Sequence, residues 1–364
     1  MLPMIAKDLN LNTTQLGLIW GMSTFGGLFL SIPGGLLGDR IGARWSIFII
    51  AAITAISLGL RGFAKDATLM SVTMFIGGGV VGGLFPLVSK AVFIWFPKTR
   101  IGLANGIWAS LSRLGMVIGA AISATVVTSA LGNWRNTFFF YAALLMVFAI
   151  LWIIFIREPV NLNSSTGVPF REAFVKSTKS RDVWLCVAAY FGSIGLNVGF
   201  VGYLPTYLQN IGWVEVTSSL ALTIYFLGGV IGGFILPTLS DKMRLRKIFF
   251  IVPVLLFVVV IGLMAVTKAT IQIWILITIA GFSFGSLGPI LNSIIAEIKE
   301  IGARYAGTAI SLGSGIGGAA GLLFAVASGK LALANSILPF IFGPLLCLLC
   351  IVPFFFTKET GTKN

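Results

Sequence analysis

Gly35-Leu-Leu-Gly-Asp39-Arg40-Ile-Gly42-Ala-Arg44 joins two long apolar runs, and its reading decides the fold. One acid and two bases inside ten residues mark a polar turn between segments that are otherwise almost free of charge. The pattern returns 202 residues later in Pro237-Thr-Leu-Ser-Asp241-Lys242-Met-Arg244-Leu-Arg246. In both stretches the aspartate is followed by basic residues at +1 and +5. A chain with two parallel halves and matching polar turns is one mark of a transporter built from repeats.

Outward from these turns the chain is apolar. Of 364 residues 57% are hydrophobic and only 10% are charged, and the mean hydropathy is +1.01. A soluble domain carries roughly 25% charged residues, so this chain cannot cover a water-facing surface and belongs in a lipid bilayer. Its net charge is +14. Nucleic-acid binding is the reading set aside, because the cytoplasmic loops of membrane proteins collect Lys and Arg. The absence of histidine excludes a Ser-His-Asp triad, a His-Glu-x-x-His zinc site and a histidine proton switch. Cys186, Cys347 and Cys350 lie in apolar runs, where small apolar side chains are expected rather than redox chemistry. No cofactor and no metal is expected.

A span needs about 20 mostly apolar residues. Eleven stretches qualify: 14–36, 45–64, 69–96, 101–131, 135–156, 183–208, 217–239, 248–267, 270–297, 305–329 and 334–356. The polar stretch 157–182 is the natural linker, dividing the chain into an N-terminal bundle (1–156) and a C-terminal bundle (183–364). Alternate loops starting at 37–44 hold 17 of the 25 Lys and Arg residues, the loops of the other side 6, and Lys90 and Arg113 fall inside spans. That bias puts the linker and C-terminus in the cytoplasm and the N-terminus of this chain outside. Met1 to Asn12 reads as neither a span nor a signal peptide.

The stretch Gly35 to Arg44 resembles the signature of the major facilitator superfamily, Gly-x-Leu-(Ala/Gly)-Asp-Arg-x-Gly followed by basic residues. Trp95-Phe96-Pro97 with Arg100 and Ala104-Asn105-Gly106 resembles that family's turn between helices 4 and 5. Trp134-Arg135 resembles the start of its helix 6, and Tyr203-Leu-Pro205-Thr-Tyr207-Leu the outer end of its helix 7. The resemblance implies an all-α membrane protein of two bundles that works by alternating access in the plasma membrane. It also implies that the first span is the family's helix 2, that helix 1 has no counterpart here, and that Leu2 to Asn12 is a loop. Near the position of the family's frequent helix 4 arginine, Met70 to Gly77 offers only Thr73. The antiporter pattern is present only as Gly115 and Gly119 without its proline, which weakens drug antiport. The glycine- and asparagine-rich nitrate signature is absent, which argues against nitrate.

Single residues sharpen the expectation. Asp39 with Arg40 and Arg44, beside Gly35 and Gly42, can form a lock at the cytoplasmic end that breaks when the halves rock apart. Asp241, Lys242 and Arg246 are its weaker counterpart; the alternative is an ordinary charged loop. Glu297 is either a gate residue pairing with Lys299 or Arg304, or a surface acid. Arg113 lies 12 residues after Ile101, roughly 18 Å deep at 1.5 Å per residue. A charge near the midplane faces a cavity or a partner, and no carboxylate in the spans is placed to pair with it. It therefore points to a bidentate contact with an anionic, carboxylate-like solute. The alternatives are a carbonyl cluster or a residue of the absent helix 1. Lys90 either snorkels to the interface or attracts the solute. Asn197 and Asn292 are amides in spans and need partners. Tyr203 and Tyr207 read as interface aromatics, with Tyr203 kept as a solute contact. The glycine runs at 77–83 and 313–318 permit close helix packing.

The function expected is transport of a small organic, anionic solute by a protein that is monomeric in the bilayer and is not an enzyme. No span carries an Asp or Glu in its middle, so either coupling is absent or its acid belongs to helix 1, which leaves uniport or exchange open. The alternative is a transport-inactive fragment or a sensor on a transporter fold. A membrane-embedded enzyme would need paired aspartates, a Ser/Lys pair or a metal cluster in the spans, and none is found.

Overall fold

The computed structural model describes residues 2–95, 101–123, 127–157, 170–267 and 269–361, and among them every regular element is a helix. In chain order these are α1 (Leu2–Asp8), α2 (Thr13–Gly62), α3 (Ala67–Gly82), α4 (Leu84–Trp95), α5 (Ile101–Ile122), α6 (Thr128–Leu131), α7 (Trp134–Phe155), α8 (Phe170–Lys179), α9 (Arg181–Asn210), α10 (Glu215–Met243), α11 (Arg246–Leu263), α12 (Thr270–Glu297), α13 (Gly302–Ala334) and α14 (Pro339–Ile351), followed by a 3-10 turn, Val352–Phe356. Among the described residues eight helical stretches are long and apolar enough to cross a bilayer. They coincide with the spans expected at 45–64, 135–156, 183–208, 217–239, 248–267, 270–297, 305–329 and 334–356.

The other three expected spans are built differently. The loop drawn between 36 and 45 is not a loop: α2 runs through it and bends at Gly42, whose φ of 81° and ψ of 165° leave the helical region. This conformation is essentially closed to residues with a Cβ. The stretch 69–96 is interrupted at Gly83, and 101–131 divides into α5 and α6. Leu2–Asp8, read as loop, is helical. The linker holds the helix α8, and its residues 158–169 lie outside the described residues. Gly42→Ala is expected to cost about 1–3 kcal/mol, measured as a lower thermal-unfolding midpoint of the purified protein.

Helix ends follow from local chemistry. Asn12 and Gln15 form a capping box at the start of α2, with bonds of 2.8 and 2.9 Å. Such a cap satisfies N–H groups that have no partner inside the helix. Asp66 caps α3 at 2.8 Å, and Asn133 accepts from the Arg135 N–H at the start of α7. Asp8 at the end of α1 pairs with Arg135 at 2.5 Å, and Arg135 lies 4.3 Å above the Trp134 ring. This clamp ties residues 2–8 to the start of α7.

Large apolar side chains cover the outside, as on Phe155 (74% exposed) and Val266 (77%). With lipid outside, helices gain little from burying apolar surface and associate through close backbone approach. Along the α2–α13 contact a Cβ at Gly17 would overlap the Ala325 carbonyl, one at Gly318 the Thr24 carbonyl, and one at Gly329 the Thr13 carbonyl. The Thr13 hydroxyl donates to the Gly329 carbonyl at 2.6 Å in the same seam. The α10–α12 contact is equally tight, with Gly232 against Phe282 and Gly285 against Gly229. Cys186 and Cys347 are buried and all three thiols are free. Cys347 and Cys350 pack against Gly192 of α9.

Candidate functional site

The turn between α10 and α11 gathers charge. Arg246 opens α11, Asp241 lies in the last turn of α10, and Glu297 ends α12. The Arg246 guanidinium donates to Asp241, to Glu297 through Nε at 3.1 Å and Nη2 at 2.9 Å, and to Ser240 Oγ at 3.3 Å. Glu359, from the C-terminal tail, accepts the backbone N–H of Arg246 at 2.6 Å and of Lys247 at 3.0 Å. A carboxylate there complements the positive end of α11. Lys247 Nζ in turn donates to the Thr357 carbonyl at 2.9 Å.

One expectation is corrected here and a second is narrowed. Glu297 pairs with Arg246 and not with Lys299, because the end of α12 packs beside the start of α11, and the Arg304 side chain lies outside the described residues. The base that answers Asp241 is Arg246 at +5, whereas Lys242 is exposed and has no ion pair among the described residues. In the first half the +5 base behaves otherwise. Arg44 donates to the Ile153 carbonyl at 2.5 Å, and its own carbonyl accepts the Trp152 indole N–H at 3.1 Å. It anchors the second limb of α2 to the end of α7. Gly42 forms the bend. The side chains of Asp39 and Arg40, and the surroundings of Gly35, lie outside the described residues.

At membrane depth the residues divide into pairs. The Tyr225 hydroxyl donates to Asn197 Oδ1 at 2.5 Å, joining α10 to α9. The Tyr190 hydroxyl donates to Asn292 Oδ1, joining α9 to α12. Both tyrosines were missed in the sequence, where the signal was a phenol in an apolar run. Among the described residues the two amide nitrogens have no partner. Tyr203 lines a cleft between α2, α9 and α13 together with Thr13, Leu16 and Thr206. The cleft has room for about one water molecule. The Tyr203 hydroxyl donates to the Ser336 carbonyl at 3.3 Å, and Tyr207 to the Met264 carbonyl at 3.2 Å. Both rings are buried against Phe340. The Lys90 side chain lies outside the described residues.

Arg113 is half-buried on α5 where that helix meets α10. Its Nη2 donates to the Gly285 carbonyl of α12 at 3.2 Å. Among the described residues it has no ion pair. A guanidinium carries five N–H donors, so among the described residues most of its donor capacity is uncommitted. The structure does not bring Arg113, Asn197 and Asn292 into contact with one another; each has its own partner. Arg61, counted with the loops in the sequence, is 9% exposed. Its Nη2 donates to the Thr73 carbonyl at 3.2 Å, and Phe138 lies 6.0 Å from it. No His/Cys/Asp/Glu cluster suited to a metal occurs among the described residues.

The sequence profile of the Major Facilitator Superfamily matches residues 1–325. The chain is 26% identical over 354 residues to the probable sulfoacetate transporter SauU of Cupriavidus necator, covering 90% of this chain and 81% of that protein. It is 28% identical over 334 residues to the probable nitrate transporter NarT of Staphylococcus haemolyticus, covering 87% and 81%. The crystal structure of a point mutant of the nucleoside transporter NupG superposes with a TM-score of 0.78 at 13% identity, covering 96% of this chain and 92% of that one.

Proposed function

The chain belongs to the Major Facilitator Superfamily, and from that premise we propose that it carries a small organic anion across the plasma membrane by alternating access. It is a multi-pass membrane transporter. The observation that carries the anion assignment is Arg113, a deep guanidinium without an ion pair among the described residues. A planar fork of donors matches a carboxylate or a sulfonate. SauU and NarT are named for anionic solutes, which supports the same class. Asn197 and Asn292 offer amide donors to the rest of the solute, with Lys90 and Tyr203 as further contacts.

In this reading the two halves are residues 1–156 and 183–364, joined by 157–182, and they rock about the seams of α2 with α13 and of α5 with α10. The linker and C-terminus face the cytoplasm and the N-terminus of this chain faces outside, in a monomer. Asp39, Arg40 and Arg44 in one half, and Asp241 and Arg246 in the other, hold the cytoplasmic ends. No Asp or Glu stands in the middle of an expected span, which leaves uniport or exchange open.

Uptake into proteoliposomes tests the proposal, with sulfoacetate, nitrate and a neutral nucleoside as solutes. Saturable uptake of sulfoacetate exceeding that of the other two is expected. Nucleoside uptake at the same rate would remove the anion assignment. Absence of flux for every solute, with sulfoacetate still raising the thermal midpoint, would make the protein a sensor.

A further inference from the structure

Arg113 is seated, not free. Beyond its bond to the Gly285 carbonyl at 3.2 Å, a Cβ built on Gly233 of α10 would overlap its guanidinium. The seat exists because α10 and α12 meet backbone to backbone, Gly285 against Gly229 and Gly281 against Tyr225. Glycine at 233 and at 285 leaves only main-chain atoms under the arginine. The bond crosses from α5 to α12, 172 residues apart in sequence, so the seat joins the two halves through the side chain assigned to the solute's charge.

We propose that Gly233 and Gly285 form a built-in competitor for the solute: without an anion they hold Arg113 and so keep α5 against α10, and a bound anion draws the guanidinium off and lets the helices part. This rests on Arg113 being the solute's anchor. A carboxylate takes two parallel N–H bonds from the guanidinium and carries the opposite charge, whereas the carbonyl accepts one bond and is neutral, so a carboxylate wins the exchange. The seat lowers the fraction of protein ready to bind, and with it the apparent affinity. Gly233 then sets affinity without touching the solute. The same device favours exchange over uniport, since the seam opens readily only when loaded.

Gly288 provides the reporter. It lies three residues from Gly285, on the same side of α12, and nothing stands within 4 Å of a Cβ built there. The experiment uses the full chain in nanodiscs, with Gly288→Cys and with Cys186, Cys347 and Cys350 replaced by alanine. A maleimide reports the reactivity of the introduced thiol with and without sulfoacetate. Sulfoacetate is expected to raise the labelling rate at least threefold with Arg113 present and to leave it unchanged with Arg113→Ala. Adding Gly233→Ala is expected to raise the rate without sulfoacetate to the loaded value, and to tighten sulfoacetate binding about threefold or more. The comparison with and without sulfoacetate stands even where Gly233→Ala fails to fold. Arg113-dependent binding, read as a thermal shift, with unchanged or slower labelling would overturn the competitor and leave the anion site standing. Absence of Arg113-dependent binding would overturn both.

Discussion

Arg113→Ala is expected to reduce sulfoacetate uptake at subsaturating concentration by a factor of about 30 or more, with the protein still folded. Removing one partner of a buried, hydrogen-bonded charge pair costs roughly 2–5 kcal/mol, and about 1.4 kcal/mol is tenfold. Among the described residues the unloaded side chain makes one bond, to the Gly285 carbonyl; a hydrogen bond with a charged group contributes about 1.5–3 kcal/mol, so the variant also loses some stability. Arg113→Lys keeps the charge but loses the fork, so an intermediate rate is expected. The measurement is initial uptake against concentration in proteoliposomes, with size-exclusion profiles as the check on folding. Normal uptake by the alanine variant would remove Arg113 from the site.

The largest structural effect is expected from Gly17→Leu. Gly17 faces the Ala325 carbonyl across the α2–α13 seam, closer than any Cβ tolerates. A flexible side chain would move aside, but here the obstacle is the backbone of a long helix. Overpacking of this kind costs about 1–3 kcal/mol and occasionally more, and the neighbouring contacts of the seam separate with it. The variant is expected to lose its monodisperse size-exclusion peak and to melt at a lower temperature. Gly27→Leu is the control on the same helix, since a Cβ there meets nothing within 4 Å. Equal behaviour of the two variants would show that close packing in this seam does not limit assembly.

Much of the fold was legible because one physical length decides it. A bilayer asks for about 20 apolar residues per crossing, and among the described residues eight helical stretches answer where the apolar runs stand. What the runs hid is conformational. Gly-Asp-Arg with a glycine at 42 reads as a loop, yet the backbone needs one residue of positive φ to turn and stays helical on both sides. The charged contacts divide in the same way. Asp241 and Arg246 lie five residues apart, and their shared spacing with the first half exposed them. Glu297 is 51 residues from Arg246 and Glu359 is 113 away, and no local pattern reports a partner at such a separation. Arg113 announced itself as a lone charge in an apolar run. Its seat did not, because the acceptor is a main-chain carbonyl and the contact depends on side chains that are missing from Gly233 and Gly285.

The seam between Thr13 and Gly329 also bears on how the chain is made. The two residues are 316 positions apart, and a ribosome adds about 5–20 residues per second. The glycine-notched face of α2 therefore waits roughly 15–60 s before its partner helix is synthesised. During that interval it offers a small-residue surface of the kind that pairs with any neighbouring helix in the lipid. Biogenesis thus carries a window for wrong partnering that the finished molecule no longer shows, and slowing translation between the two segments should widen it.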